Sequence, residues 1–226
     1  MTGRLFERRF SPGFADCTPT GRVRLDCIAR WLQDVAYADV EDAGLAEAAV
    51  WVLRRTRIRV AQWPRFGEQY SLRTFCSGMG KMWAERRTTI SDIVETVALW
   101  VHLDPETWRP TPLSAPELEL YGPSVDGRRV TARLHHPQPE AIRDGVPWVF
   151  RATELDIADH INNSAYWQPL EEELLARPEP AGIDVEIEFR TPAQPGDKRV
   201  ISDGDMRWIT SPDGDVHASI LIAELG

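Results

Sequence analysis

The chain contains the same order of elements twice, and this repetition constrains its fold more than any other feature. Each half begins with a short strand and an acidic loop, continues with an amphipathic helix and ends with a series of strands. Apolar residues recur at helical spacing over 25–41 in the first half and over 166–176 in the second. The sequence therefore predicts two copies of one α+β unit.

A second shared feature supports duplication over a chance similarity between two α+β halves. After each helix comes a strand, a proline-containing bend and a glycine–acid pair, Gly67-Glu68 in the first half and Gly196-Asp197 in the second. Prolines in such segments belong at strand edges or kinks. We predict that the two half-sheets pair into one larger antiparallel sheet, each packed on its own helix. Further strands are predicted at 70–75, 82–90, 97–103, 199–203, 206–209 and 216–224.

The predicted units are separated by a proline-rich segment. We expect a first unit at 1–110, a linker at 111–147 and a second unit at 148–226. The segment 105–147 shows no long periodic element, which is typical of a linker.

Composition excludes several classes of protein. A hydrophobic content of 42% with nine tryptophans is enough for a packed core, and a formal net charge of −9 argues against nucleic-acid binding. Cys17, Cys27 and Cys76 lie far apart and lack metal-ligand spacing, so neither a disulfide framework nor a zinc site is predicted. The N-terminus has no apolar signal core and no apolar run is long enough to span a membrane, which favours a cytoplasmic protein without a membrane span.

One segment is basic, although the chain as a whole is acidic. Because alternate residues of a strand share a face, Arg55, Arg57 and Arg59 are expected to form one basic stripe. Such a stripe is either a solvated sheet face or a docking surface for an acidic partner or a phosphate-bearing group. The second interpretation makes Arg55 and Arg57 candidate substrate-binding residues.

The loop before the second helix carries the chemistry. Asp156 precedes His160 by four residues, and Asn162 or Asn163 is placed to cap the helix that follows. A carboxylate, an imidazole and a helix N-terminus together suit a reaction in which a carbonyl oxygen gains negative charge. The alternative is a turn carboxylate beside a structural histidine, since short motifs occur often by chance.

This loop resembles a known catalytic signature. Asp156-Ile157-Ala158-Asp159-His160-Ile161-Asn162-Asn163, followed by Tyr166, is similar to the active-site motif of the acyl-ACP thioesterases, plant and bacterial enzymes with tandem hotdog folds. The first-half loop 16–23 resembles that of 4-hydroxybenzoyl-CoA-type thioesterases. The resemblance implies an α+β tandem hotdog, with each half an antiparallel sheet around a central helix. It also implies a hydrolase that releases fatty acids from acyl-ACP or acyl-CoA.

Within this resemblance, Asp156 is the predicted general base or nucleophile, and His160 orients water or polarises the thioester. Asn162 and Asn163 are assigned to the substrate side of the motif, as scaffold and helix cap. Plant members commonly have an asparagine where this chain has Ala158, and a Glu-Cys pair is missing after Arg190. These departures raise the question of whether activity is reduced.

In the first half, Thr18 occupies the position of the family's carboxylate, which predicts that this half is catalytically degenerate and binds the acyl chain. Candidates for the wall of an acyl tunnel are Trp31, Val35, Phe75 and Trp83. No cofactor or metal is expected, and the arrangement is compatible with a monomer or a homodimer. Two alternatives stay open: a hotdog that binds acyl thioesters without hydrolysis, and an acyl-thioester hydratase or dehydratase.

Overall fold

The computed structural model describes residues 3–46, 50–140 and 145–223. Within these ranges it contains ten strands and three α-helices, in an order that repeats. The strands of the first half are β1 (Phe6–Phe10), β2 (Val50–Val60), β3 (Tyr70–Met79), β4 (Trp83–Ile90) and β5 (Val94–Leu103). Those of the second half are β6 (Val146–Phe150), β7 (Ile183–Phe189), β8 (Gly196–Asp203), β9 (Met206–Thr210) and β10 (Val216–Ala223). The helices are α1 (Leu25–Asp42), α2 (Ala115–Val125) and α3 (Gln168–Leu175).

All ten strands form one sheet, in the order β1-β3-β4-β5-β2-β7-β10-β9-β8-β6. Read outwards from the centre, the two halves use equivalent strands in the same order. The halves join where β2 pairs antiparallel with β7, from Arg55 opposite Glu188 to Val60 opposite Ile183. The predicted tandem α+β architecture and the pairing of two half-sheets are therefore confirmed.

Helix α1 ends one residue beyond its predicted range of 25–41, and its apolar face is buried in the core of the protein. It also buries a charge. The carboxylate of Asp39 is 1% exposed and accepts hydrogen bonds from Arg4 Nε and Arg86 Nη1, each at 2.6 Å. A buried carboxylate needs such partners because desolvation without them is costly. This network fixes the C-terminal part of α1 against β4.

The second helical segment begins at Asn163, before the predicted start at residue 166, and its first part is a 3₁₀ helix. A 3₁₀ segment at Asn163–Trp167 leads directly into α3. Asn162 is its N-cap, because the Asn162 side-chain oxygen accepts from the backbone N–H of Ser164 at 2.9 Å. The predicted cap is therefore confirmed. Tyr166 packs between Phe150 and Phe189, as its position in a buried helix requires.

The segment between the halves is more ordered than its composition predicts. Helix α2, of 11 residues, lies inside the predicted linker, where the sequence shows no long periodic element. Ser114 and Glu117 form a capping box at the start of α2, a signal that the proline content of the segment concealed. β6 begins at Val146, just before the second unit was predicted to start. The predicted boundaries of the two units stay a prediction.

No helix among the described residues has the length and apolar character required to cross a membrane.

Candidate active site

A cavity of about 390 Å³ is lined mainly by first-half residues and also by the motif loop of the second half. Its walls come from α1, from residues of β2, β3, β4 and β5, and from α2. The motif residues that line it are Asp156, Ile157, Ala158, Asn162 and Asn163. The candidate catalytic loop of one half therefore faces a chamber built by the other half.

The Asp156 carboxylate is held by two hydrogen bonds within its own loop. Asp156 Oδ1 accepts from the backbone N–H of Ala158 at 2.9 Å, and Asp156 Oδ2 accepts from the Asn162 side-chain amide at 3.1 Å. The other end of the Asn162 amide caps the following helix. The position of the carboxylate is thereby fixed relative to the helix that follows the loop, as is required of a side chain in a preorganised site.

The loop itself is braced by the segment after β7. The backbone N–H of Ile161 donates to Ala193 O at 3.2 Å, and Ala193 N–H donates to the Tyr166 hydroxyl at 2.9 Å. Tyr166 is 2% exposed, and burial raises its pKa to about 12. The phenol is therefore a neutral structural group. Its ring packs in the core, and its hydroxyl has a backbone partner.

His160 has a different environment from Asp156. Its imidazole is half-buried and is not among the residues that line the cavity. Among the described residues, no hydrogen bond to its ring is found, although its backbone carbonyl accepts from Asp156 N–H at 3.0 Å. The catalytic role of His160 stays a prediction. Asp159 is exposed and adopts a positive φ of 59° at the tip of the loop.

The first-half loop has the same architecture without the carboxylate. Thr18 N–H donates to Arg22 O and Cys17 pairs with Val23, just as Asp156 N–H donates to His160 O and Leu155 pairs with Ile161. Thr18 is thus the structural counterpart of Asp156, in agreement with the family resemblance, which places Thr18 at the carboxylate position.

The walls of the cavity are mixed in character. Apolar side chains from both α1 and the sheet dominate, but Glu85, Arg86 and Glu117 also line it. Each of these charges already has a partner: Glu85 binds Arg128, Arg86 binds Asp39, and Glu117 lies 3.3 Å from His102. Because these charges are paired and the other walls are mainly apolar, most of the chamber surface suits an apolar ligand.

A narrow lobe of about 10 Å³ adjoins the chamber, with room for about one water molecule. The two spaces share wall residues, among them Gln33, Arg86 and Asn163. Thr56 Oγ1 and Trp100 Nε1 are buried at this lobe and have no hydrogen-bond partner among the described residues. They can bind a water molecule or an oxygen atom of a ligand.

The two candidate arginines lie elsewhere. Arg57 makes two hydrogen bonds to the Asp184 carboxylate, at 2.7 and 2.6 Å, and Arg55 Nε lies 3.7 Å from Glu186. Neither arginine lines the cavity. The basic stripe of β2 therefore lies beside an acidic stripe of β7, formed by Asp184, Glu186 and Glu188, at the junction of the halves. Substrate contact by Arg55 and Arg57 stays a prediction.

One group among the described residues has the spacing of metal ligands, namely His136, Glu186 and Glu188. The carboxylate of Glu188 accepts from the backbone N–H groups of His135 at 2.6 Å and of His136 at 3.1 Å. Arg190 Nη2 lies 3.6 Å from the same carboxylate. These contacts have a structural role, because they attach the segment between the halves to strand β7.

Sequence reasoning missed most of the chamber. None of the four residues suggested for the tunnel lines it: Trp31 and Val35 belong to the central core, Trp83 donates to Val130 O, and Phe75 is also outside the wall. The lining face of α1 is instead Gln33, Ala36, Tyr37 and Val40. Helical spacing shows which face of α1 is apolar. Which α1 residues line the cavity depends on contacts with the other half.

Comparison with known proteins gives a family and a fold. Residues 3–120 match the family described as acyl-ACP thioesterase N-terminal domain. Among curated proteins, the chain is 26% identical over 214 residues to an uncharacterised protein of Mycobacterium tuberculosis (strain H37Rv), covering 90% of this chain and 86% of that one.

Two solved structures are similar over nearly their whole length. An acyl-ACP thioesterase from Bacteroides thetaiotaomicron aligns with a TM-score of 0.80 at 16% identity, covering 96% of both chains. The 12:0-ACP thioesterase from Umbellularia californica aligns with a TM-score of 0.75 at 15% identity, covering 98% of this chain and 97% of that chain. The shared architecture is the tandem hotdog, so the predicted fold class is confirmed.

Proposed function

Because this chain belongs to the acyl-ACP thioesterase family, we propose that it hydrolyses fatty acyl thioesters of acyl carrier protein or coenzyme A, using Asp156 in its second half. The observation that carries the proposal is the position of Asp156. Its carboxylate, oriented by Asn162 and the Ala158 N–H, faces a largely apolar chamber of about 390 Å³ supplied by the first half. A thioester at the chamber mouth places its acyl chain inside and its reacting carbonyl near the carboxylate.

The proposed chemistry is hydrolysis by general-base catalysis. Asp156 removes a proton from a water molecule as the water oxygen attacks the thioester carbonyl carbon. The tetrahedral intermediate collapses by breaking the C–S bond, and the thiolate receives the proton. The products are a free fatty acid and a thiol. Direct attack by the carboxylate, with an anhydride hydrolysed in a second step, uses the same residue.

His160 and the arginines enter the proposal with separate tests. We expect His160→Gln to lower kcat if the imidazole reaches the thioester once substrate is bound. Arg57→Ala tests the carrier contact: an increase in KM for acyl-ACP without a change for acyl-CoA supports docking of an acidic carrier on the basic stripe. An equal effect on both donors, or none, argues against such docking.

The central experiment compares hydrolysis of acyl-ACP and acyl-CoA thioesters of graded chain length, followed by release of free thiol. Asp156→Asn keeps the shape of the side chain and removes the base, so kcat is expected to fall at least about 100-fold. Asp159→Asn is the matched control, because Asp159 is an exposed acid on the same loop and asparagine tolerates its positive φ.

Each outcome is decisive. Loss of activity in Asp156→Asn with near-normal activity in Asp159→Asn supports the proposed base. Equal activity in wild type and Asp156→Asn would place the chemistry elsewhere in the chamber. No turnover by wild-type protein on any donor would overturn the hydrolase proposal for this chain.

A further inference from the structure

The two halves match residue for residue around their loops. The hydrogen-bond pattern of 13–24 recurs without insertion at 151–162, including the first-half bond Arg24 N–H to Asp16 O and its counterpart Asn162 N–H to Glu154 O. The helices then begin at equivalent residues, Leu25 and Asn163. A position in one helix therefore has a defined counterpart in the other.

Counting along these helices pairs Gln33 of α1 with Glu171 of α3. Glu171 belongs to the second half but serves the first-half loop. Its carboxylate accepts from the Leu25 N–H at 3.0 Å and from Arg22 Nη1 at 3.2 Å. The helix of one half thus places a polar side chain against the loop and helix start of the other half.

By the same equivalence of the two halves, Gln33 of the first half is expected to lie against the second-half loop that carries Asp156. The structure agrees with this placement, because Gln33 lines the chamber together with Asp156 and lines both the chamber and its narrow lobe together with Asn163. Gln33 is half-buried, and its amide has no hydrogen-bond partner among the described residues. Glu171 is occupied by a salt bridge, whereas its counterpart Gln33 is free.

We propose that Gln33 is a catalytic residue of the second-half site, whose Nε2–H donates a hydrogen bond to the thioester carbonyl oxygen. This inference rests on the proposed function. An amide is neutral, so it can approach Asp156 without the repulsion that a carboxylate at this position would cause. As water attacks, the carbonyl oxygen gains negative charge and the hydrogen bond from Gln33 strengthens. The reaction is then shared between halves, with the base from the second and the donor from the first.

The test is the kinetics of Gln33→Leu, which keeps a side chain of similar size and removes the donor. Loss of one such donor is expected to lower kcat about 100-fold or more, with little change in KM, because the bond is strongest in the transition state. Gln33→Glu removes the donor at neutral pH and adds a negative charge near Asp156, so its kcat is also expected to fall. Its activity relative to Gln33→Leu should rise as pH is lowered and the new carboxyl becomes protonated. A side chain that only supports the fold would not produce this pH response.

Asp34→Asn is the matched control, since Asp34 is the next residue of α1, is exposed and does not line the chamber. Thermal unfolding of every variant separates folding defects from catalytic ones. If wild type is active and Asp156→Asn is inactive while Gln33→Leu keeps its kcat, this inference fails and the proposed function stands. A rise in KM alone would also overturn it, because Gln33 would then only shape the chamber. No activity in wild type is a failure of the proposed function itself.

Discussion

Arg22 and Glu171 form a buried ion pair between the two halves of the chain. Arg22 is 2% exposed and Glu171 is 3% exposed. The Arg22 guanidinium also lies 4.4 Å from the centroid of the Trp63 ring. By its position in the loop, Arg22 is the first-half counterpart of His160, so the loop that has Thr18 in place of Asp156 contributes an inter-half strut, the Arg22–Glu171 ion pair.

We predict that Glu171→Ala lowers the free energy of unfolding by about 3 kcal/mol, because it leaves the buried Arg22 with only the more distant Glu179 carboxylate, 3.9 Å from Nε, as a counter-charge. It also removes the acceptor that caps the Leu25 N–H. Urea denaturation measures the change. Glu172→Ala is the matched control, since Glu172 is the adjacent exposed residue of α3, and its effect should stay within about 0.5 kcal/mol. A loss below about 1 kcal/mol for Glu171→Ala would contradict the strut.

Asn162 has two functions that one pair of variants can separate. Asn162→Ser keeps an oxygen that caps the helix and removes the amide that orients Asp156. We expect its kcat to fall about tenfold or more while its melting temperature changes little. Asn162→Ala should lose the same activity and a further 0.5–2 kcal/mol or so of stability. Equal kcat in wild type and Asn162→Ser would show that Asp156 needs no orienting amide.

Cys76 lines the chamber but is not expected to act as a nucleophile. Burial raises the pKa of its thiol to about 11, so little thiolate exists near neutral pH. We predict that iodoacetamide modifies Cys76 in the folded protein at pH 7.5 at least about tenfold more slowly than it modifies a free cysteine. Mass spectrometry of digested samples locates the label. Rapid modification at this residue would indicate an activated thiol and reopen its role.

The stability of the second half should depend on pH through His217. Burial lowers the pKa of His217, and its Nδ1–H donates to Thr191 O at 3.1 Å. Because the unfolded chain binds a proton more readily, stability is full above about pH 6.5 and declines as pH falls below that value. Melting temperatures from pH 8 to 5 should fall less steeply for His217→Gln than for wild type. His135→Gln, at an exposed histidine, serves as the control and should follow the wild-type curve.

The sequence was sufficient to predict the tandem architecture, both core helices and the Asn162 cap. These features depend on local periodicity and on short motifs, which a single chain displays directly. The resemblance of the first-half loop placed Thr18 where the family has a carboxylate, which agrees with the structural equivalence of Thr18 and Asp156. Local pattern therefore predicted most of the fold and the cap at the start of the second helix, whereas the catalytic role of the Asp156 loop stays a prediction.

The chamber could not be predicted in the same way. Its walls combine one helix face, several strands and α2 with a loop from the other half, and no local signal records which of them meet. Gln33 lies within an ordinary amphipathic pattern, and only the comparison of the two halves distinguishes it. The pairing of Arg57 with Asp184 likewise depends on the register of β2 against β7, which is set by long-range packing.

The covalent connection of the two halves has an evolutionary consequence. In a dimer of identical subunits, a substitution in the loop would change both copies at once. An arginine that forms the inter-half strut would then replace the histidine in both loops. Here Arg22 and His160 occupy equivalent places in one polypeptide and can mutate separately. The first-half loop can therefore acquire a residue that stabilises the contact between the halves, while the equivalent position in the second half keeps a histidine.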